Sequence, residues 1–178
     1  MWKIFNLVFI FLSLFFVSCQ DFYNTEEKTY TITLANKEIK TRAFEFAKLY
    51  SESETEYQWG GQSPLRAIKI DCSGLVVMCY KYALVDTKYS LIENDMSSSY
   101  IYENASEPTR NPEQGDLIFM GEIDSDKITH IAIYNREENG EIYFIDSTDN
   151  GIVNGVSERH YDKTSEKFKA FGIMKLKY

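Results

Sequence analysis

A chain of 178 residues with 19 lysines and arginines against 27 aspartates and glutamates carries a formal net charge of −8. That length suits one compact domain with a substantial core, and the acidic balance argues against nucleic acid, whose phosphates are met by basic patches. Three cysteines and two histidines without CxxC or HxxxH spacing argue against a zinc site, so no metal or other cofactor is expected.

The first segment is an apolar block, "IFNLVFIFLSLFFVS", shorter than the roughly 20 residues of a spanning helix and suited to the hydrophobic region of a secretory signal. It ends with small Ser18 directly before Cys19, which resembles a bacterial lipoprotein signal: the peptide is cleaved before the cysteine and the thiol is acylated. Phe16 stands where that pattern usually has leucine, and a plain signal peptide or an uncleaved anchor is the alternative. In each case the mature domain is expected outside the cytoplasm, and with Cys19 lipidated it is anchored to a membrane of the cell envelope. The polar, acidic stretch "QDFYNTEEKTY" then reads as a tether. "TYTITL" alternates, and is a short strand or an ordered linker.

From Ile39 to about Ser53, Ile39, Ala43, Phe46, Ala47 and Tyr50 recur at helical spacing with charges between them, predicting an amphipathic helix. "YQWGGQSP" interrupts it as a loop, with Trp59 expected to pack there. A second helix is predicted from Asp71, a good N-cap, through Leu75, Val76, Cys79, Tyr80, Tyr82 and Ala83. Residues 86–114 are polar and rich in turn formers, suggesting an irregular excursion with one short helix. Beyond them the period switches to strands: "DLIFMGEI", "THIAIYN", "IYFIDS", "GIVNGV" and "FKAFGIMKL". Helices followed by an antiparallel meander make an α+β domain.

Cys72 and Cys79 lie seven residues apart. On a helix that spacing separates them by about 10 Å, past the roughly 7 Å limit of a disulfide, so they are expected to be independent thiols. Cys79 reads as core. Cys72, directly after the cap, is a core residue or a nucleophile; the partial positive charge of a helix N-terminus favours a thiolate there. On the strand "THIAIY", His130, Ala132 and Tyr134 share one face and Ile131 and Ile133 the other. On the following strand Ile142, Phe144 and Asp146 share a face. If the two strands form a hairpin, Asp146 reaches the distal nitrogen of His130, completing a nucleophile, a base and an orienting acid. Asp149 is the rival for the third place, and His160 reads as a surface residue.

The strings "YQWGG", "DCSGLV", "GDLIF", "THIAIY" and "FIDSTDNGI", in that order and from about Thr41 to the end, resemble the NlpC/P60 family of papain-like bacterial cell-wall cysteine peptidases. The resemblance implies N-terminal helices packed on a central antiparallel sheet and an endopeptidase acting on peptidoglycan stem peptides, typically at the γ-D-glutamyl–diamino acid bond. It makes Cys72 the nucleophile, His130 the base and Asp146 the third residue, a position commonly held by histidine. Tyr57, Asp71 and Ser73 fall in the oxyanion and substrate-binding region, where Tyr57 and Asp71 resemble a pair that holds a free L-alanine amine. The spacer "QSPLRAIKI" is longer than usual. The expected organisation is a signal at 1–18, a tether at 19–36 and a catalytic domain at 37–178. An amidase or acyltransferase of the same superfamily, or an inactive wall-binding lipoprotein, are the alternatives.

Overall fold

The computed structural model describes residues 30–64 and 68–178. The signal segment, Cys19, residues 20–29 of the tether and residues 65–67 of the spacer lie outside the described residues. In chain order the elements are β1 (Ile32–Leu34), α1 (Lys37–Ser51), β2 (Thr55–Tyr57), β3 (Ile68–Ile70), α2 (Cys72–Ala83), β4 (Ser90–Leu91), α3 (Ser98–Asn104), β5 (Ser106–Thr109), β6 (Leu117–Met120), β7 (His130–Glu138), β8 (Glu141–Asp149), β9 (Asn154–Asp162) and β10 (Phe168–Lys177). The main sheet runs β1-β10-β6-β7-β8-β9 with antiparallel neighbours, and β4 and β5 also pair with β10; β2 and β3 form a separate parallel pair. This is the expected α+β arrangement, helices on an antiparallel sheet.

Ile32–Leu34, read from sequence as strand or linker, is a strand bound to the end of β10. The folded sheet therefore takes in residues that a tether reaching to 36 would leave out. Asn36 caps α1 by accepting from Ile39 N at 3.0 Å, and Ile39, Ala43, Ala47 and Tyr50 form its buried stripe. Phe44 is buried more deeply than Phe46, which instead packs against Tyr82 at 4.9 Å. Lys40 is also buried, which helical spacing did not predict. Its ammonium meets Glu113 Oε2 at 2.7 Å and Asp116 Oδ1 at 3.2 Å, joining α1 to the approach of β6.

The helices α1 and α2 cover one face of the sheet, where Leu117, Phe119, Ile131, Ile133, Ile145, Met174 and Leu176 join their apolar residues. On the other face Ile118, Met120, Ala132, Tyr134, Ile142 and Phe144 form a smaller cluster with Tyr161, Phe168 and Phe171 packed on it. The period-two alternation of β7 is thus realised, with apolar residues buried on both faces. The excursion 86–114 supplies α3, capped by Ser97, and the short strands β4 and β5. Those strands exist because β10 offers them a partner, not because "SL" or "SEPT" has a strand pattern of its own.

Candidate active site

Four local devices set the start of α2. Asp71 has extended backbone and caps the helix, its Oδ1 accepting from Gly74 N at 2.6 Å and Ser73 Oγ at 3.1 Å. Its Oδ2 accepts from Gly60 N at 2.8 Å, tying the loop of "WGG" to the helix. Gly60 holds φ +71°, a left-handed conformation suited to glycine, and Gly74 is packed so closely that a Cβ there would lie 2.0 Å from Gly61 O. Behind the helix start, buried Ser147 of β8 donates to Ile70 O at 2.7 Å, so the sheet holds the strand that delivers Cys72.

Cys72 is therefore the first residue of α2, free and 7 % exposed. His130 opens β7, and its Nε2 lies 2.5 Å from Asp146 Oδ2. With Nε2 engaged by the carboxylate, Nδ1 is the nitrogen left for Cys72, which lies close enough to favour the charged ring. Burial works against a charged ring, but Asp146 and Cys72 outweigh it and push His130 up to about 10. Asp146 is fully buried; burial alone would raise its pKa, yet His130 and Arg159 hold the carboxyl below the ordinary range.

The structure thus brings Cys72, His130 and Asp146 together. Tyr57 lies close enough for Cys72, Asp71 and Asp149 to add to burial in raising its phenol pKa, and its own N–H donates to Asn154 Oδ1 at 2.8 Å. A cavity of about 320 Å³ opens over Cys72, with Asp71, Ser73, Gly60, Asp95 and Thr129 in its wall. A second, of about 240 Å³, is lined by His130, Thr129, Arg159, Tyr161, Glu122 and Lys167. Trp59 does not pack into its loop: it is 84 % exposed and lines the cavity over Cys72. Cys79 is fully buried, and that burial pushes its thiol well up. His160 is an exposed residue beside Glu141 and Tyr143.

Arg159 escaped sequence reasoning. It donates through Nε to Asp146 Oδ1 at 2.9 Å, and Nη2 meets Oδ2 of the same carboxylate. The signal was present in the alternation of "GVSERHY" but needed the register: Ser157 pairs with Asp146, so Arg159, two residues on, shares its face. Thr129, which lines both cavities, carried no signal at all. Among the described residues, no group of three or more His, Cys, Asp or Glu side chains could hold a metal ion.

No curated protein is significantly similar to the chain. Among solved structures, one described as similar to a lipoprotein of the NLP/P60 family, from Staphylococcus aureus, superposes with a TM-score of 0.50 at 24 % identity, over 80 % of this chain and 43 % of its own. The structure of Ly7917 superposes with a TM-score of 0.51 at 12 % identity, over 76 % of this chain and 62 % of its own. The chain therefore spans about half the length of these structures, and at such identities they speak for the fold, an α+β papain-like arrangement. The description that matches the sequence itself is that of the NlpC/P60 family, over residues 54–170, a stretch that runs from β2 to β10 and includes Tyr57, Cys72, His130 and Asp146. With most of the folded domain inside that match, the chain belongs to the NlpC/P60 family.

Proposed function

We propose that the protein is an extracytoplasmic cysteine endopeptidase that hydrolyses peptidoglycan stem peptides, at the γ-D-glutamyl–diamino acid bond. The observation that carries this reading is the His130 ring, held through Nε2 by buried Asp146 and facing Cys72 at the start of α2. Membership of the NlpC/P60 family supports a cell-wall substrate.

In this reading the Cys72 thiolate, paired with the His130 imidazolium and sitting in the field of the helix N-terminus, attacks the scissile carbonyl. The sulfur–carbon bond forms while the carbonyl oxygen takes negative charge, and the first N–H groups of α2 are its donors. The Tyr57 hydroxyl is a further donor, kept protonated by its raised pKa, and Ser73 shares the cavity wall. His130 gives its proton to the leaving amine as the carbon–nitrogen bond breaks. The neutral ring then takes a proton from water, whose oxygen displaces the thiolate and releases the acid. Asp146 holds the ring in one tautomer and stabilises the imidazolium. The two oxygens of Asp71 offer about four acceptor sites. Three donors already occupy them, so one acceptor site remains for a substrate amine. Cys19, acylated, would hold the enzyme on a membrane beside the wall, raising its effective concentration there.

The test is to digest purified muropeptides with wild type and Cys72→Ala and read the products by mass spectrometry. New γ-D-glutamyl termini made by wild type and absent with Cys72→Ala are expected, as is loss of activity with iodoacetamide. Cleavage or transfer at other amides or esters would favour an amidase or acyltransferase. Products matching buffer with both proteins would favour a wall-binding lipoprotein, and activity lost to a chelator but not to iodoacetamide would overturn the thiol mechanism.

A further inference from the structure

Arg159 is held before it holds anything. Its Nη1 donates to Tyr161 OH at 3.0 Å, and the guanidinium sits 5.4 Å and 5.5 Å from the ring centres of Phe144 and Tyr161. From that seat the fork reaches both oxygens of Asp146, including the one that faces His130. The Arg159 side chain is 15 % exposed and that of Asp146 is 0 % exposed, so with Arg159 in place the carboxylate has no contact with solvent. Loss of one of its two cations shifts a buried carboxylate toward its protonated form, and a protonated Asp146 would donate where it must accept.

We propose that Arg159 is a positioning residue of the thiol site: its bidentate grip keeps Asp146 ionised and aimed at His130 Nε2, and so maintains the imidazolium beside Cys72. The proposal rests on reading Cys72, His130 and Asp146 as the catalytic set. The charged and titratable groups around it come from several elements. Asp146 faces His130 of β7 and Arg159 of β9, and His130 also faces Cys72 of α2. Tyr161 faces Arg159. Glu122 and Lys167 line the cavity that His130 and Arg159 share, while Tyr57, Asp71 and Asp149 surround the Cys72 side.

The measurement is the rate of iodoacetamide alkylation at Cys72 as a function of pH, read by peptide mass spectrometry, which needs no knowledge of the substrate. Arg159→Met should move the acid limb of that profile up by about one pH unit or more. Arg159→Lys, which keeps the charge, should restore at least half of the shift. Added to Asp146→Asn, Arg159→Met should move nothing further, because the effect passes through the carboxylate. A limb unmoved by Arg159→Met, or moved equally with Asp146→Asn present, would overturn the role of Arg159 and leave the thiol site standing. Should Arg159→Met fail to fold, Arg159→Gln takes its place in the same profile: an acid limb moved up by about one pH unit is expected, and an unmoved limb would overturn the proposal. A wild-type Cys72 no more reactive than an ordinary thiol would remove the thiol site itself, and this proposal with it.

Discussion

A carboxylate at the third position, where the family resemblance leads one to look for histidine, is a single-residue departure with electrostatic consequences. A neutral third residue needs only hydrogen-bond partners in a buried place; Asp146 also needs a cation, and the fold supplies Arg159 on one side and His130 on the other. Their titration has a definite sign. The folded pKa of His130 is raised from 6.5 to about 10, so the stability it lends is complete below 6.5 and is lost as pH rises toward 10. The folded pKa of Asp146 is lowered, so its contribution is present above its ordinary 3.8 and is lost as pH falls through the folded value. Asp146→Asn should therefore cost most between pH 3.8 and 6.5. There it removes about 3 kcal/mol by leaving Arg159 and the imidazolium without their anion. Thermal melts of both proteins across pH 3 to 10 test this, and a difference that grows above pH 8 would contradict it. The pairing of His130 with Asp146 was legible in the sequence, since both lie on alternating strands in hairpin order. Arg159 was not, because its place depends on a second register.

Among the elements, α2 carries the most local information and is closely packed at its start. The sequence announces its start through Asp71, and the structure extends that cap into a three-way tie with Gly60, Ser73 and Gly74. Asp71→Ala should destabilise the domain by about 2 kcal/mol, at the upper end for a lost cap because the "WGG" loop is released as well. Urea unfolding with an unchanged slope would register it. Gly74→Ala is expected to cost about 3 kcal/mol, because its methyl would meet backbone Gly61 O rather than a movable side chain. A substitution there with melting within 2 °C of wild type would contradict that packing. The elements β4 and β5 lie at the other extreme. Their residues show no alternation, and each is a strand only because β10 has backbone groups to pair. A local pattern cannot report a partner that arrives roughly sixty to ninety residues later.

At the scale of the whole molecule, the two faces of the sheet are unequal, and the site lies where helix and sheet are tied together. Ser147 to Ile70, Tyr80 to Gly115, and Lys40 to Glu113 and Asp116 are among the polar ties there. Lys40 keeps its charge although burial opposes it, because the two carboxylates raise its pKa. Lys40→Met should cost about 3 kcal/mol by leaving Asp116 buried without its cation, while Lys40→Met combined with Asp116→Asn should recover part of that loss. Chemical denaturation of the single and double variants measures it, and a double variant no better than the single would show that the pair does not act as a unit.

The sequence by itself determined the order and type of the long elements, the capped helix with a cysteine at its first position, and the strand histidine and aspartate that belong with it. These follow from periodicity and capping, which act over a few residues and are written in adjacent positions. Only the tertiary structure decided that Arg159 grips Asp146, that Lys40 goes inward, that Trp59 stands out at the cavity and that Ile32–Leu34 joins the sheet. Each of these depends on which distant segment lies opposite. Strand register and helix placement are set by the packing of the whole core, so a charge can be buried or an aromatic ring exposed against its local preference.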